Sequence, residues 1–297
     1  MPISCAVFAC AGDVPVFLFS KYRFASYGLL LMVALALSLK ARAQQLQPEQ
    51  HAQPDAIALK ASVGGADASS RVLLSTENTL AASGATLQNH SVQKLIVIGF
   101  LGGNVSATNC IHREAQLIKT LQESYPNAVH AAAFANRNGN LALKTVLRFL
   151  GGDGASPPTD AEKSAARIVI YGHSWGASET VTLADRLNKL GIPVLLTIQV
   201  DSVQKHDQND ERIPPNVREA MNFYQSEGLL RGRSLIVAMD PNKTKILGND
   251  ESSYRQNPVS CAGFPWYARA FMKRHIQIEN DPAVWNKIEA LILGKIL

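Results

Sequence analysis

Apolar runs and amphipathic stretches alternate along the C-terminal two thirds of the chain. KLIVIG at Lys94–Gly99, Ala128–Phe134, RIVIY at Arg167–Tyr171, Val194–Val200 and Ser234–Met239 read as strands, the first, third and fourth as continuous apolar runs. Between them, Arg113–Ser124 carries Ala115, Leu117, Ile118 and Leu121 at helical spacing. Asn140–Leu150, Trp175–Leu190 and Val217–Gln225 also read as helices, and Pro282–Leu293 as a closing one. Gly191 stands where a helix C-terminal glycine is expected, and Gly151–Pro158 is a loop composition. Strands alternating with helices predict an α/β fold: a mainly parallel sheet with helices on both faces and a reduced number of strands in its second half. In such sheets ligands bind at the carboxyl ends of the strands, so the loops after the strands are where chemistry is sought.

The first 90 residues look different. Tyr27–Leu39 is a thirteen-residue run without charge, preceded by Lys21 and Arg23 and followed by Ala41-Arg42-Ala43. That order predicts a secretory signal peptide over 1–43, cleaved after Ala43; uncleaved, it would be a membrane anchor, and an apolar 1–20 lengthens the insert. Residues 44–90, rich in Gln, Ala, Ser and Gly, read as a low-complexity linker with one short strand at Arg71–Leu74, and 91–297 as the folded domain. The expected location is therefore periplasmic or secreted.

Composition narrows the class. The 297 residues are 46% hydrophobic and 18% charged, which excludes wholesale disorder and a polytopic membrane protein. The net charge is +5, and residues 1–43 hold +3 of it, so the domain has no basic patch to support nucleic-acid binding. Cys5 and Cys10 leave with the leader. Cys110 and Cys261 remain, and export predicts a disulfide between them. No Cys/His spacing suggests a metal site, and no cofactor is implied.

The third strand runs into Gly172-His173-Ser174-Trp175-Gly176, a G-x-S-x-G between a strand and a helix. A strand turning sharply into a helix exposes the central serine, and crowding leaves room only for glycine two positions either side. Ser174 would also sit at a helix N-terminus, where N–H groups favour developing negative charge. With this elbow, the domain resembles the α/β-hydrolase superfamily, its lipases and esterases above all.

The resemblance implies a triad in the order Ser, acid, His. Only His206 and His275 follow Ser174. His206 lies in a solvated polar loop; His275, before the closing helix, is where this superfamily places its base. The acid is Asp201, ending the fourth strand, or Asp240, ending the fifth. Asp201 is preferred: its strand is fully apolar, and no further strand is read between Asp240 and His275. The oxyanion hole would combine the N–H of Trp175 with that of Phe100, or failing it Leu101, from the Gly99–Gly103 loop; the His of the lipase H-G-F pattern is replaced here by Ile98. Tyr254, Phe264, Trp266, Tyr267 and Phe271 would form an acyl-pocket wall or lid, or a minor core. The implied function is an exported serine hydrolase of a small-molecule or lipid carboxylic ester. A thioesterase or amidase with the same triad, and a silent hydrolase-like binding domain of the cell envelope, are the alternatives.

Overall fold

The computed structural model describes residues 93–151 and 157–296. The leader, the linker with its strand at Arg71–Leu74, Cys5, Cys10 and the centre of the 151–158 loop lie outside the described residues.

A single six-stranded sheet organises the domain, in the order β2-β1-β3-β4-β6-β8, and every neighbouring pair is parallel. Its strands are β1 (Leu95–Leu101), β2 (Val129–Ala135), β3 (Ile168–His173), β4 (Val194–Val200), β6 (Val217–Tyr224) and β8 (Lys245–Glu251). Two-residue strands β5 (Arg212–Ile213) and β7 (Val237–Ala238) pair separately. The helices are α1 (Arg113–Ser124), α2 (Gly139–Leu150), α3 (Asp160–Ser164), α4 (Trp175–Lys189), α5 (Trp266–Phe271), α6 (Lys273–Asn280) and α7 (Pro282–Leu293).

The period-two alternation of the strands divides the core between two faces. Leu95, Val97, Val169, Leu196, Ile198 and Val200 pack with Leu117, Ile118 and Leu121 of α1 and with Trp285 and Ile288 of α7. Ile96, Ile98, Phe100, Ile168 and Ile170 face the other way, against Val146 of α2 and Val181, Ala184 and Leu187 of α4. Both faces are covered, which is why β1 and β3 read as unbroken apolar runs. Among the described residues no helix is long and apolar enough to cross a membrane.

Two elements differ from the sequence expectation. Residues 217–225 are not a helix but the strand β6. Val217, Ala220, Met221 and Tyr224 fall at i, i+3, i+4 and i+7, so the local pattern fits a helix. Its place between β4 and β8 buries Ala220, Met221, Asn222 and Phe223 consecutively, and tertiary pairing overrides the pattern. The strand expected at Ser234–Met239 shrinks to β7, outside the main sheet. Its place is taken by β8, which lies between Asp240 and His275. KILGNDE has too few apolar residues to read as a strand, and it can be polar because it is an edge, bonded on one side only.

Candidate active site

The turn between β3 and α4 is built from backbone contacts. Ser174 holds φ +58° and ψ −124°, a left-handed conformation that a non-glycine residue adopts at a cost of about 1–3 kcal/mol. A Cβ on Gly172 would stand 2.5 Å from the Gly176 carbonyl, and one on Gly176 only 2.2 Å from the Phe100 oxygen. Any side chain at either position would therefore push α4 off the sheet. Ser174 is pinned on both sides: its N–H donates to Val200 (2.9 Å), and its carbonyl accepts from Ala177 (3.1 Å) and Val203 (3.2 Å). It is buried, at 7% exposure.

Asp201 follows β4 directly, at φ +43° and fully buried. Its Oδ2 accepts a hydrogen bond from Nδ1 of His275 at 2.6 Å and from the Gln225 side-chain amide at 2.8 Å. Oδ1 accepts the backbone N–H groups of Gly232 (2.8 Å) and Gln225 (3.1 Å). Four donors thus hold the carboxylate and fix the imidazole with Nε2 free to work as a base. Gly232 carries no signal in the sequence, and Gln225 reads there only as the end of a helix packed on the sheet. The only trace of Gln225 is its position at the carboxyl end of β6, once that segment is recognised as a strand. His275 itself lies in α6 rather than in a loop, and is buried.

Asp240 does something else. Its Oδ1 accepts the N–H of Asn242 (3.0 Å) and its carbonyl those of Lys243 and Thr244, a turn-capping carboxylate. His206 is 93% exposed and paired with Asp207 at 2.6 Å. Phe100 sits inside β1, in register with Phe134 and Gly172, and Leu101 ends the strand beside Ala135. The loop residue in contact with the serine is Gly102, whose Cβ would stand 2.9 Å from that of Ser174; its N–H donates to Glu114 at 3.3 Å. Trp175 opens α4 and is 42% exposed.

The expected disulfide is absent. The Cys110 thiol donates to the Thr108 carbonyl and that of Cys261 to the Val259 carbonyl, each two residues upstream. The aromatic group divides: Tyr254 and Phe264 are buried, whereas Trp266, Tyr267 and Phe271 of α5 are exposed. A polar cleft lined by Ser202, Asp210, Glu211, Arg231 and Arg233 opens beside the Asp201 loop; neither Ser174 nor His275 lines it.

Beneath the elbow lies a cluster that the sequence reading missed. Glu114 and Glu279 are buried, as is His173, with His112 at their edge. Burial, then the charge of Glu279, pushes Glu114 up to about 8; burial pushes Glu279 up to about 8 as well. Burial, aided by the neighbouring His275 and His112, holds His173 well below the usual imidazole range. The rings of His173 and His275 lie 4.5 Å apart, so this cluster adjoins the Asp201–His275 pair. A signal did exist, in the H-x-E of His112-Arg113-Glu114, but its partners are more than fifty residues away.

No protein-family model matches the chain, and no curated protein matches it. Solved structures similar to it include the RedJ thioesterase of the prodiginine biosynthetic pathway in Streptomyces coelicolor, at 9% identity, covering 68% of this chain and 90% of that one with a TM-score of 0.36. A thermostable esterase from Pseudomonas putida ECU1011 is similar at 11% identity, 70% and 74% coverage and a TM-score of 0.34. An esterase from the archaeon Pyrobaculum calidifontis follows at 12% identity, 70% and 77% coverage and 0.34. The likeness stops at the fold. The chemistry is read from the chain's own residues.

Proposed function

We propose that the protein is an exported serine hydrolase acting on carboxylic esters. The observation that carries this reading is the His275–Asp201 hydrogen bond of 2.6 Å, on a carboxylate held by three further donors, at the strand ends where the Ser174 elbow also lies. In this mechanism Ser174 Oγ attacks the acyl carbon while Nε2 of His275 takes its proton. Asp201 keeps Nδ1 protonated and stabilises the imidazolium as it forms. The tetrahedral oxyanion faces the N–H of Trp175 at the start of α4 and a second N–H from the end of β1, at Phe100 or Leu101. His275 then returns the proton to the leaving alcohol, and water repeats the cycle on the acyl-enzyme.

A fluorophosphonate probe tests the assignment. It should label the wild type at Ser174 and leave Ser174→Ala unlabelled, and the variant should lose hydrolysis of p-nitrophenyl esters by about 10³-fold or more while staying folded. Residual turnover within about tenfold of wild type would remove Ser174 as nucleophile. A panel of acyl lengths and thioesters would set the substrate class.

A further inference from the structure

The cluster beneath the elbow presents acceptors to acceptors. Nε2 of His173 lies 3.2 Å from the backbone carbonyl of His275, which can only accept, so the proton of the neutral ring is on Nε2. Nδ1 is then a bare lone pair. It is buried, makes no hydrogen bond, and points at the Glu279 Oε2 at 3.4 Å and the Glu114 Oε1 at 3.9 Å. Oε2 of Glu114 is likewise buried without a donor. Nδ1 of His112 approaches Oε1 of Glu279 at 2.5 Å. Among the described residues the ion-pair partners of these two glutamates are histidines alone, with no lysine or arginine. Two carboxyl groups and an imidazole lone pair facing one another out of water need either protons or a cation between them.

We propose that Glu114 and Glu279, with His112 at the edge of the cluster and the bare Nδ1 of His173 facing them, bind a divalent cation of the zinc class. The donor set is right: imidazoles and carboxylates together suit zinc and its borderline neighbours. The spacing admits an ion once the His112 Nδ1–Glu279 Oε1 contact, at hydrogen-bond length here, opens. One ligand atom each from His112, Glu114 and Glu279 lie within 4.8 Å of one another. The 3.4 Å between His173 Nδ1 and Glu279 matches the edge of a tetrahedron with bonds of roughly 2.0–2.1 Å, which is about 3.3–3.4 Å. The second shell is in place, with the Gly102 N–H on Glu114 and the His275 carbonyl on Nε2 of His173. His112, at 12% exposure, leaves a way in.

Such an ion would tie together three segments that meet nowhere else in the sequence: the end of the β1 loop, the residue before Ser174, and α6 one turn after His275. It would be a clamp on the elbow and on the helix of the base, positioning both without touching substrate.

The test is zinc itself. Purified full chain, stripped with chelator and dialysed, is titrated with Zn²⁺ by calorimetry, its metal content is measured, and its melting point is compared with and without the ion. One ion per chain and a raised melting point are expected. Glu114→Gln combined with Glu279→Gln should weaken binding by at least about 100-fold. His206→Ala, which removes the exposed His206–Asp207 pair, should bind as the wild type does. Failure of the folded wild type to bind Zn²⁺ would overturn the proposal and leave protons as the charge between the acceptors; equal affinity in the double variant would also overturn it. If the double variant does not fold, Co²⁺ in the wild type decides: the visible absorption of four-coordinate cobalt with nitrogen and oxygen ligands supports the site, and its absence refutes it.

Discussion

Gly232 lies so close to Asp201 that a Cβ there would stand 2.1 Å from Oδ1 and 2.4 Å from Cα of the aspartate. Its N–H donates to that same oxygen at 2.8 Å. The residue that steadies the carboxylate must therefore lack a side chain. Gly232→Ala should shift the Asp201 loop and with it His275. A displacement of about 1 Å at such a position costs on the order of 10²-fold in rate. The expected result is that loss in kcat against p-nitrophenyl esters, with a melting point that moves far less than the activity; unchanged kcat would mean the contact is idle.

Asp201 and Asp240 should separate cleanly. Asp201→Asn exchanges a carboxylate that accepts four donors for an amide that would fix the wrong tautomer of His275. The expected loss in kcat is on the order of 10⁴-fold. Asp240→Asn alters a turn around Asn242 and Thr244 and should leave turnover within a few-fold. Its effect on stability should stay within about 1 kcal/mol, since Asn also caps turns. Steady-state kinetics of the two variants, with denaturant melts, distinguish the roles.

Glu227 gives an acid-side prediction. The Ser253 hydroxyl first, then the Tyr254 N–H, Arg274 and Arg255, hold its carboxylate below the ordinary 4.5, against the cost of leaving water. A folded-state pKa below the unfolded one stabilises the fold above the unfolded value, and this is lost as pH falls through the folded value. The melting-point gap between wild type and Glu227→Gln should thus be present at neutral pH and close as pH drops below 4.5. A gap that persists in strong acid would show that the residue acts through shape and not charge.

For the leader, cleavage after Ala43 is expected from the A-x-A behind the apolar run of Tyr27–Leu39. N-terminal sequencing of the exported protein should begin at Gln44. Recovery of the intact N-terminus in the membrane fraction would make the segment an anchor.

Much of this molecule is legible along the chain because its causes are local. β1, β3 and β4 are buried on both faces and so are largely apolar. The elbow is written in five consecutive residues, since Gly172 and Gly176 are needed for backbone contacts within the turn and with β1. What only the tertiary structure decided depends on partners distant in sequence. Residues 217–224 carry a helical pattern and become a strand because β4 and β8 supply its hydrogen bonds. β8 is polar because it is an edge, and its presence removes one reason for choosing Asp201 over Asp240. The carboxylate against His275 is nonetheless that of Asp201, because β4 lies beside the elbow strand in the sheet and β7 does not. The gathering of His112, Glu114, His173 and Glu279 follows from no local rule. Each stands alone in the sequence, and only the packing of α1, β3 and α6 at one end of the sheet makes them neighbours in a space without water.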